Sequence, residues 1–153
     1  MQLEKLANFL REANKSTYAN KDASKVLSER LGSLDYHFEK ENLVYHDTYF
    51  GVRDFIGEEI VYEDLKPVWG ANYYGFILDE SIDENELYEF LRQSLMEEWN
   101  NVLPVRGPKS FSSGNWKYQF ITEGILSRFS GKEEISFGSD IVYSCFVHGG
   151  MIQ

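Results

Sequence analysis

Residues 47–78 (DTYFGVRDFIGEEIVYEDLKPVWGANYYGFIL) hold the side chains in this chain best placed to do chemistry. Glu58, Glu59 and Asn72 fall at mid-strand positions of a segment otherwise crowded with aromatic residues. A buried polar group costs about 1–3 kcal/mol unless it finds a partner, so polar residues there need a reason. One reason is a ligand, which a carboxylate and an amide can orient while aromatic rings wall it in. With a turn at Asp64–Leu65, Ile60 faces Trp69, Glu59 faces Gly70 and Asn72 faces Gly57. Glu59, Asn72 and Tyr74 then share one face, and a glycine opposite a polar side chain leaves space beside it. The expected ligand-binding set is therefore Glu59, Asn72, Tyr74 and Trp69, with Arg106 of LPVRGP and His148 of FVHGG at the rim. The same residues suit a buried polar network that fixes the sheet, and a one-residue slip in register would exchange the two faces.

Other chemistry finds less support. There is no GxSxG elbow, HExxH helix, P-loop or dinucleotide fingerprint. Glu133 and Glu134 follow Gly131, and one of them must point into the sheet if that strand is regular. With Glu58 and Glu59 they offer paired carboxylates for acid–base work. Ion pairs with Arg106, Arg128 or Lys132 explain them more simply, so no catalytic residue is assigned. His37 and His46 become cross-strand neighbours if a hairpin turns at Glu41–Asn42, with Glu39 nearby. Two histidines and one acid fall short of the four ligands of a structural zinc site, so neither metal nor cofactor is expected.

The elements that must position these residues follow from hydrophobic period. Leu3, Leu6, Ala7, Leu10 and Ala13 mark an amphipathic helix over 2–14. Residues 15–32 read as a polar surface loop with a short helical turn ending at Gly32; it is long enough to act as a lid, but an ordinary surface excursion explains it more simply. From Ser33 the period changes to two, giving strands at 33–39, 43–50, 55–63 and 67–78. Leu87, Phe90, Leu91, Leu95 and Trp99 form the stripe of a second helix, capped by Asp79 or Ser81 and stopping before Pro104. LPVRGPKSFSSGN reads as a connector. Three or four strands close the chain, at 115–122, 125–130, 133–138 and 140–148, with turns at Glu123–Gly124 and Gly138–Ser139. The expected fold is α+β: a curved antiparallel sheet of about seven strands, with the N-terminal and mid-chain helices on one face. No internal repeat or domain boundary is visible, so residues 1–153 are expected to form a single domain.

Composition bounds the partners. A net charge of −10 and no basic stripe oppose direct nucleic-acid binding. The first fifteen residues mix charges throughout, with no signal-peptide or membrane-spanning pattern, so a cytoplasmic location without membrane contact is expected. The single cysteine, Cys145, excludes an internal disulfide and reads as a small core residue within IVYSCFV.

The blocks DTYFGVRDFIGEEI, KPVWGANYYG, LPVRGP, FSGKEEI and VYSCFVHGG, in this order, resemble an uncharacterised bacterial family, domain of unknown function 5680. The resemblance spans nearly the whole chain, and WGANYYG and FIGEE are its specific part. It implies one domain, and, because some members carry an Xre-type helix-turn-helix ahead of it, a sensor or effector-binding role beside a DNA-binding module. Here the first helix is expected to lead straight into a loop and the sheet, so regulation would need a separate partner. The resemblance carries over no catalytic residues. The leading expectation is a non-enzymatic, sensor-like domain that holds a small molecule on its central hairpin. The alternatives are an acidic protein-interaction module of antitoxin or immunity type, and an enzyme using a carboxylate. The expected partner is thus an unidentified small molecule or a protein, a second copy of the chain included.

Overall fold

The computed structural model describes residues 1–98, 103 and 105–153. Helix α1 (Leu3–Ser16) buries Leu6, Phe9, Leu10 and Ala13, with Glu4 in its first turn and Lys15 in its last, where each charge suits the helix dipole. Four strands follow: β1 (Leu34–Lys40), β2 (Leu43–Gly51), β3 (Asp54–Glu63) and β4 (Lys66–Ile77). Helix α2 (Glu84–Met96) is capped by Asp83, whose carboxylate accepts from the backbone N–H groups of Asn85 and Glu86. It buries Leu87, Phe90, Leu91 and Leu95. Strands β5 (Ser110–Ser113), β6 (Trp116–Ile125), β7 (Arg128–Phe137) and β8 (Asp140–Met151) complete the chain.

All eight strands form one antiparallel sheet in the order β1-β2-β3-β4-β8-β7-β6-β5. Each run of four is a meander, and the two meanders meet where β4 pairs with β8. The chain therefore repeats one plan, a helix followed by four strands, although its sequence shows no repeat. A meander asks for little beyond inward–outward alternation and short turns, so two unlike sequences can build the same half. α1 packs on β1 and β2, α2 on β5 and β6, and the helices touch each other. Their apolar stripes join Tyr45, Val61, Trp69, Tyr118 and Tyr143 in one core on the helix side of the sheet.

Several expectations change. The strands expected at 125–130 and 133–138 are one, β7, and the sheet has eight strands rather than about seven because β5 forms within the segment read as a connector. Its one large apolar residue, Phe111, stacks on Phe90 of α2, and pairing to β6 supplies the rest. The turn between β6 and β7 is Leu126–Ser127, not Glu123–Gly124: Ile125 still pairs with Arg128, and Gly124 (φ +91°) sits inside the strand. The cap of α2 is Asp83 rather than Asp79 or Ser81, whereas the first hairpin turns at Glu41–Asn42 as expected, with Glu41 in the left-handed conformation (φ 56°). The expected contribution of Trp99 to α2 and its stop at Pro104 lie outside the described residues.

The turn at Asp64–Leu65 stands as expected, but the pairing it leads into is shifted by one residue on β4. Tyr62 pairs with Pro67 and Val61 with Trp69, leaving Val68 as a bulge. Proline offers no N–H to the ladder, and a bulge beside it absorbs the irregularity. Glu59 consequently stands opposite Ala71 rather than Gly70, Glu58 opposite Asn72, and Gly57 opposite Tyr73.

Candidate functional site

A cavity of about 900 Å³ lies between the sheet, both helices and the segment after α1. Its floor is built by strand alternation. Leu43, Tyr45, Asp47 and Tyr49 follow one another on the helix side of β2, so Asp47 falls on an aromatic face. Pairing of β2 with β3 sets Asp47 directly opposite Glu59, and both side chains are buried, each 3% exposed. Tyr73 of β4 reaches across β3 to donate its hydroxyl to Asp47 Oδ1 at 2.6 Å. That crossing needs Gly57, where an added Cβ would lie 2.4 Å from the Tyr73 hydroxyl oxygen. The space beside Gly57 is thus filled by Tyr73 and is not left open. Gly75 plays the same part for Phe55, whose ring passes over it to stack on Tyr143 of β8.

The two acids share an electrostatic problem. Burial and the nearby Asp47 carboxylate push Glu59 up to about 8, against an opposing pull from Arg106. Burial pushes Asp47 up to about 6, against the Tyr73 hydrogen bond and Arg106. Neighbouring acids that repel one another release their protons in separate steps, so the pair carries about one negative charge near pH 7. Among the described residues Glu59 Oε2 has no hydrogen-bond partner.

Beside the pair lies an acid with every need met. Arg106 forms a two-pronged contact with Glu133, Nε to Oε2 at 3.1 Å and Nη2 to Oε1 at 2.8 Å. The hydroxyls of Tyr118 and Tyr143 each donate to Glu133 at 2.8 Å. Burial opposes the charge of Arg106, but the Glu133 carboxylate outweighs it and holds the guanidinium well above its ordinary pKa. Arg106 also sits 5.8 Å from the centre of the Tyr73 ring. The sequence expectation that Arg106 pairs with an inward carboxylate is met by Glu133, while Glu134 pairs with Lys132 at 2.7 Å.

Of the residues singled out from sequence, Glu59 and Arg106 line this cavity together. Asn72, Tyr74 and His148 do not: the bulge at Val68 turns Asn72 and Tyr74 to the opposite, exposed face, where Asn72 stands opposite His148. Tyr74 packs there with Phe76, which in turn meets Phe146. Trp69 is fully buried in the core, donating its indole N–H to the Leu126 carbonyl at 2.9 Å. Cys145 is buried, as its context suggested. His37 and His46 do stand opposite each other, but His46 Nε2 lies 3.0 Å from Asp35 Oδ1, a buried carboxylate that also accepts from Ser33 and Thr48. Burial opposes the charge of Asp35, but these hydrogen bonds outweigh it and lower its pKa. Among the described residues no three His, Cys, Asp or Glu side chains are grouped to hold a metal ion. Asp47, Tyr45, Tyr73 and Tyr143 were missed, though the alternation Leu43, Tyr45, Asp47, Tyr49 carries the signal for Asp47.

Fold and site together define an α+β protein whose one sheet forms the floor of an aromatic-walled, acid-bottomed cavity. The chain matches the family described as Domain of unknown function (DUF5680) over residues 47–152, and it belongs to that family. The matched stretch starts at Asp47 itself, within β2, and leaves α1 and β1 outside it. No curated protein and no solved structure matches the chain. Among the described residues no helix is long and apolar enough to cross a membrane.

Proposed function

We propose that the protein is a small-molecule-binding domain, sensor-like in character, whose ligand occupies the cavity over Asp47 and Glu59. The observation that carries this reading is Glu59: a deeply buried carboxyl lining a cavity of about 900 Å³ with one oxygen lacking any partner among the described residues. A cavity of that size suits a metabolite, and its mix of aromatic walls and a few convergent polar groups is the usual make-up of a ligand site. The central hairpin contributes through Glu59 and Tyr73, with Arg106 and its partner Glu133 bracing one side. A thermal-shift screen of the purified chain against metabolites tests it. A ligand at about a hundred times its dissociation constant adds roughly 2.7 kcal/mol, several degrees of melting temperature. The expected result is a stabilising compound whose effect is lost in Glu59→Gln; wild-type affinity in that variant removes the assignment.

One observation favours acid–base chemistry as a second reading. Asp47 and Glu59, with pKa values near 6 and 8, form a base and an acid both poised around neutrality. Turnover of a bound compound by this pair would peak near pH 7 and fall on either side. A flat pH profile for any turnover found would assign it elsewhere.

A further inference from the structure

We propose that the cavity takes an organic cation, a primary or secondary amine on an apolar or aromatic body, with its ammonium seated against Glu59 and Asp47. This rests on the binding reading above and narrows it to one chemical class. The carboxyls stand opposite one another on adjacent strands and face the same space. Glu59 Oε2 is buried without a donor among the described residues, so a ligand N–H would meet an unmet acceptor. Among the described residues the cation placed beside the pair is Arg106, which turns Nε and Nη2 to Glu133. The other lining cations are Lys21, which is exposed, Lys25, which lies over the Tyr49 ring, and Arg92, which lies over the Tyr18 ring; the exposed acids Asp22 and Glu89 stand among them. The walls near the floor are Tyr45, Tyr49, Phe55, Tyr73 and Tyr143, whose ring faces attract cations. An anionic ligand would instead confront two acids with Arg106 already engaged.

A pH dependence follows from the groups around Glu59. These are Tyr45 and Asp47 on β2, Tyr73 on β4, Arg106 in the segment after α2, Glu133 on β7, and Tyr143 and Cys145 on β8. Burial pushes the three tyrosines well above 10, and Cys145 up to about 12. His46 and Asp35 also act on Asp47, but they pair with each other on the opposite face of β1 and β2 and do not line the cavity. Among the described residues, the cavity-facing groups that titrate between pH 6 and 8.5 are Asp47 and Glu59. An ammonium favours their ionised forms, so binding expels a proton and tightens as pH rises through that window.

The test is isothermal titration of the full chain with three matched sets: benzylamine, benzyl alcohol and benzoate; the cyclohexylmethyl amine, alcohol and acid; and tryptamine, tryptophol and indole-3-acetate. In at least one set the amine should bind tenfold or more tightly than its alcohol at pH 8.5, with the acid undetected. That preference should shrink at least threefold at pH 6, and fall below twofold in Glu59→Gln while alcohol binding persists. If Glu59→Gln does not fold, Asp47→Asn should show the same loss. An alcohol or acid that binds as tightly as its amine overturns the cation class and leaves the binding domain standing. If no amine binds, the proposal fails; a non-amine hit in the thermal-shift screen then preserves the binding reading, and a flat screen removes both.

Discussion

At the scale of single residues, Glu59 illustrates how a fold can carry a side chain that opposes its own stability. Its folded pKa of about 8 lies above its ordinary value of 4.5. Between those pH values the folded chain holds a proton that the unfolded chain releases, so stability falls as pH rises. The contribution is whole below about pH 4.5 and gone above about pH 8. Glu59→Gln mimics the protonated form at every pH. The variant should match wild type near pH 5 and be more stable at pH 8.5 by on the order of 2–4 kcal/mol. Urea unfolding at both pH values measures this, and a variant with no relative gain at pH 8.5 would show that Glu59 ionises without difficulty. Glu133 is the contrast: equally buried, it accepts hydrogen bonds from one arginine and two tyrosines.

At the scale of elements, turns decided what the sequence could reveal. The β3–β4 turn was legible because Asp64 tolerates a left-handed backbone and stands between two alternating runs. Its partner Leu65 does not fit so well: it has φ 62° and is 85% exposed. A left-handed conformation costs a residue with a Cβ about 1–2 kcal/mol, partly offset in any glycine replacement by greater freedom of the unfolded chain. Leu65→Gly would complete the Asp-Gly pair that this turn type prefers, and should raise stability by about 0.5–1 kcal/mol in chemical denaturation. An unchanged or lower stability would mean that Leu65 makes contacts its exposure conceals. The step after the turn was not legible: Pro67 permits a bulge beside it, but it equally suits a regular strand start or an edge, so KPVWG does not single out Val68. That one residue sent Asn72 and Tyr74 to the outer face and brought Trp69, Ala71 and Tyr73 inward. Glu59 kept its place because it lies on the side of the turn that the bulge does not touch. The pairing of Asp47 with Glu59 depends on the β2–β3 register, whereas the alternation of Tyr45, Asp47 and Tyr49 is legible without it. Likewise β5 was hidden because SFSS holds one large apolar residue and owes its extended form to β6.

At the scale of the whole molecule, the question is why two helix-plus-meander halves behave as one body. Backbone pairing of β4 with β8 joins them, but side chains reinforce the join. Trp69 of β4 spans β8 to stack on Phe129 of β7, with ring centroids 6.1 Å apart and planes 7° from parallel. Its indole N–H goes to Leu126, in the turn between β6 and β7. One residue of the first half thus holds two elements of the second. Truncating a fully buried tryptophan costs about 3–5 kcal/mol, through lost burial and the cavity left behind. Trp69→Ala should therefore lower stability by about that amount while unfolding remains a single transition. The β4–β8 ladder and the shared core still bind the halves, so circular dichroism and aromatic fluorescence should trace the same urea curve. A loss below 1 kcal/mol would make the ring stack incidental. Two separate transitions would give Trp69 a larger part, as the contact that makes the halves cooperative. The cavity itself would then depend on it, because its lining draws on β2 and β3 from one half and on β8 from the other.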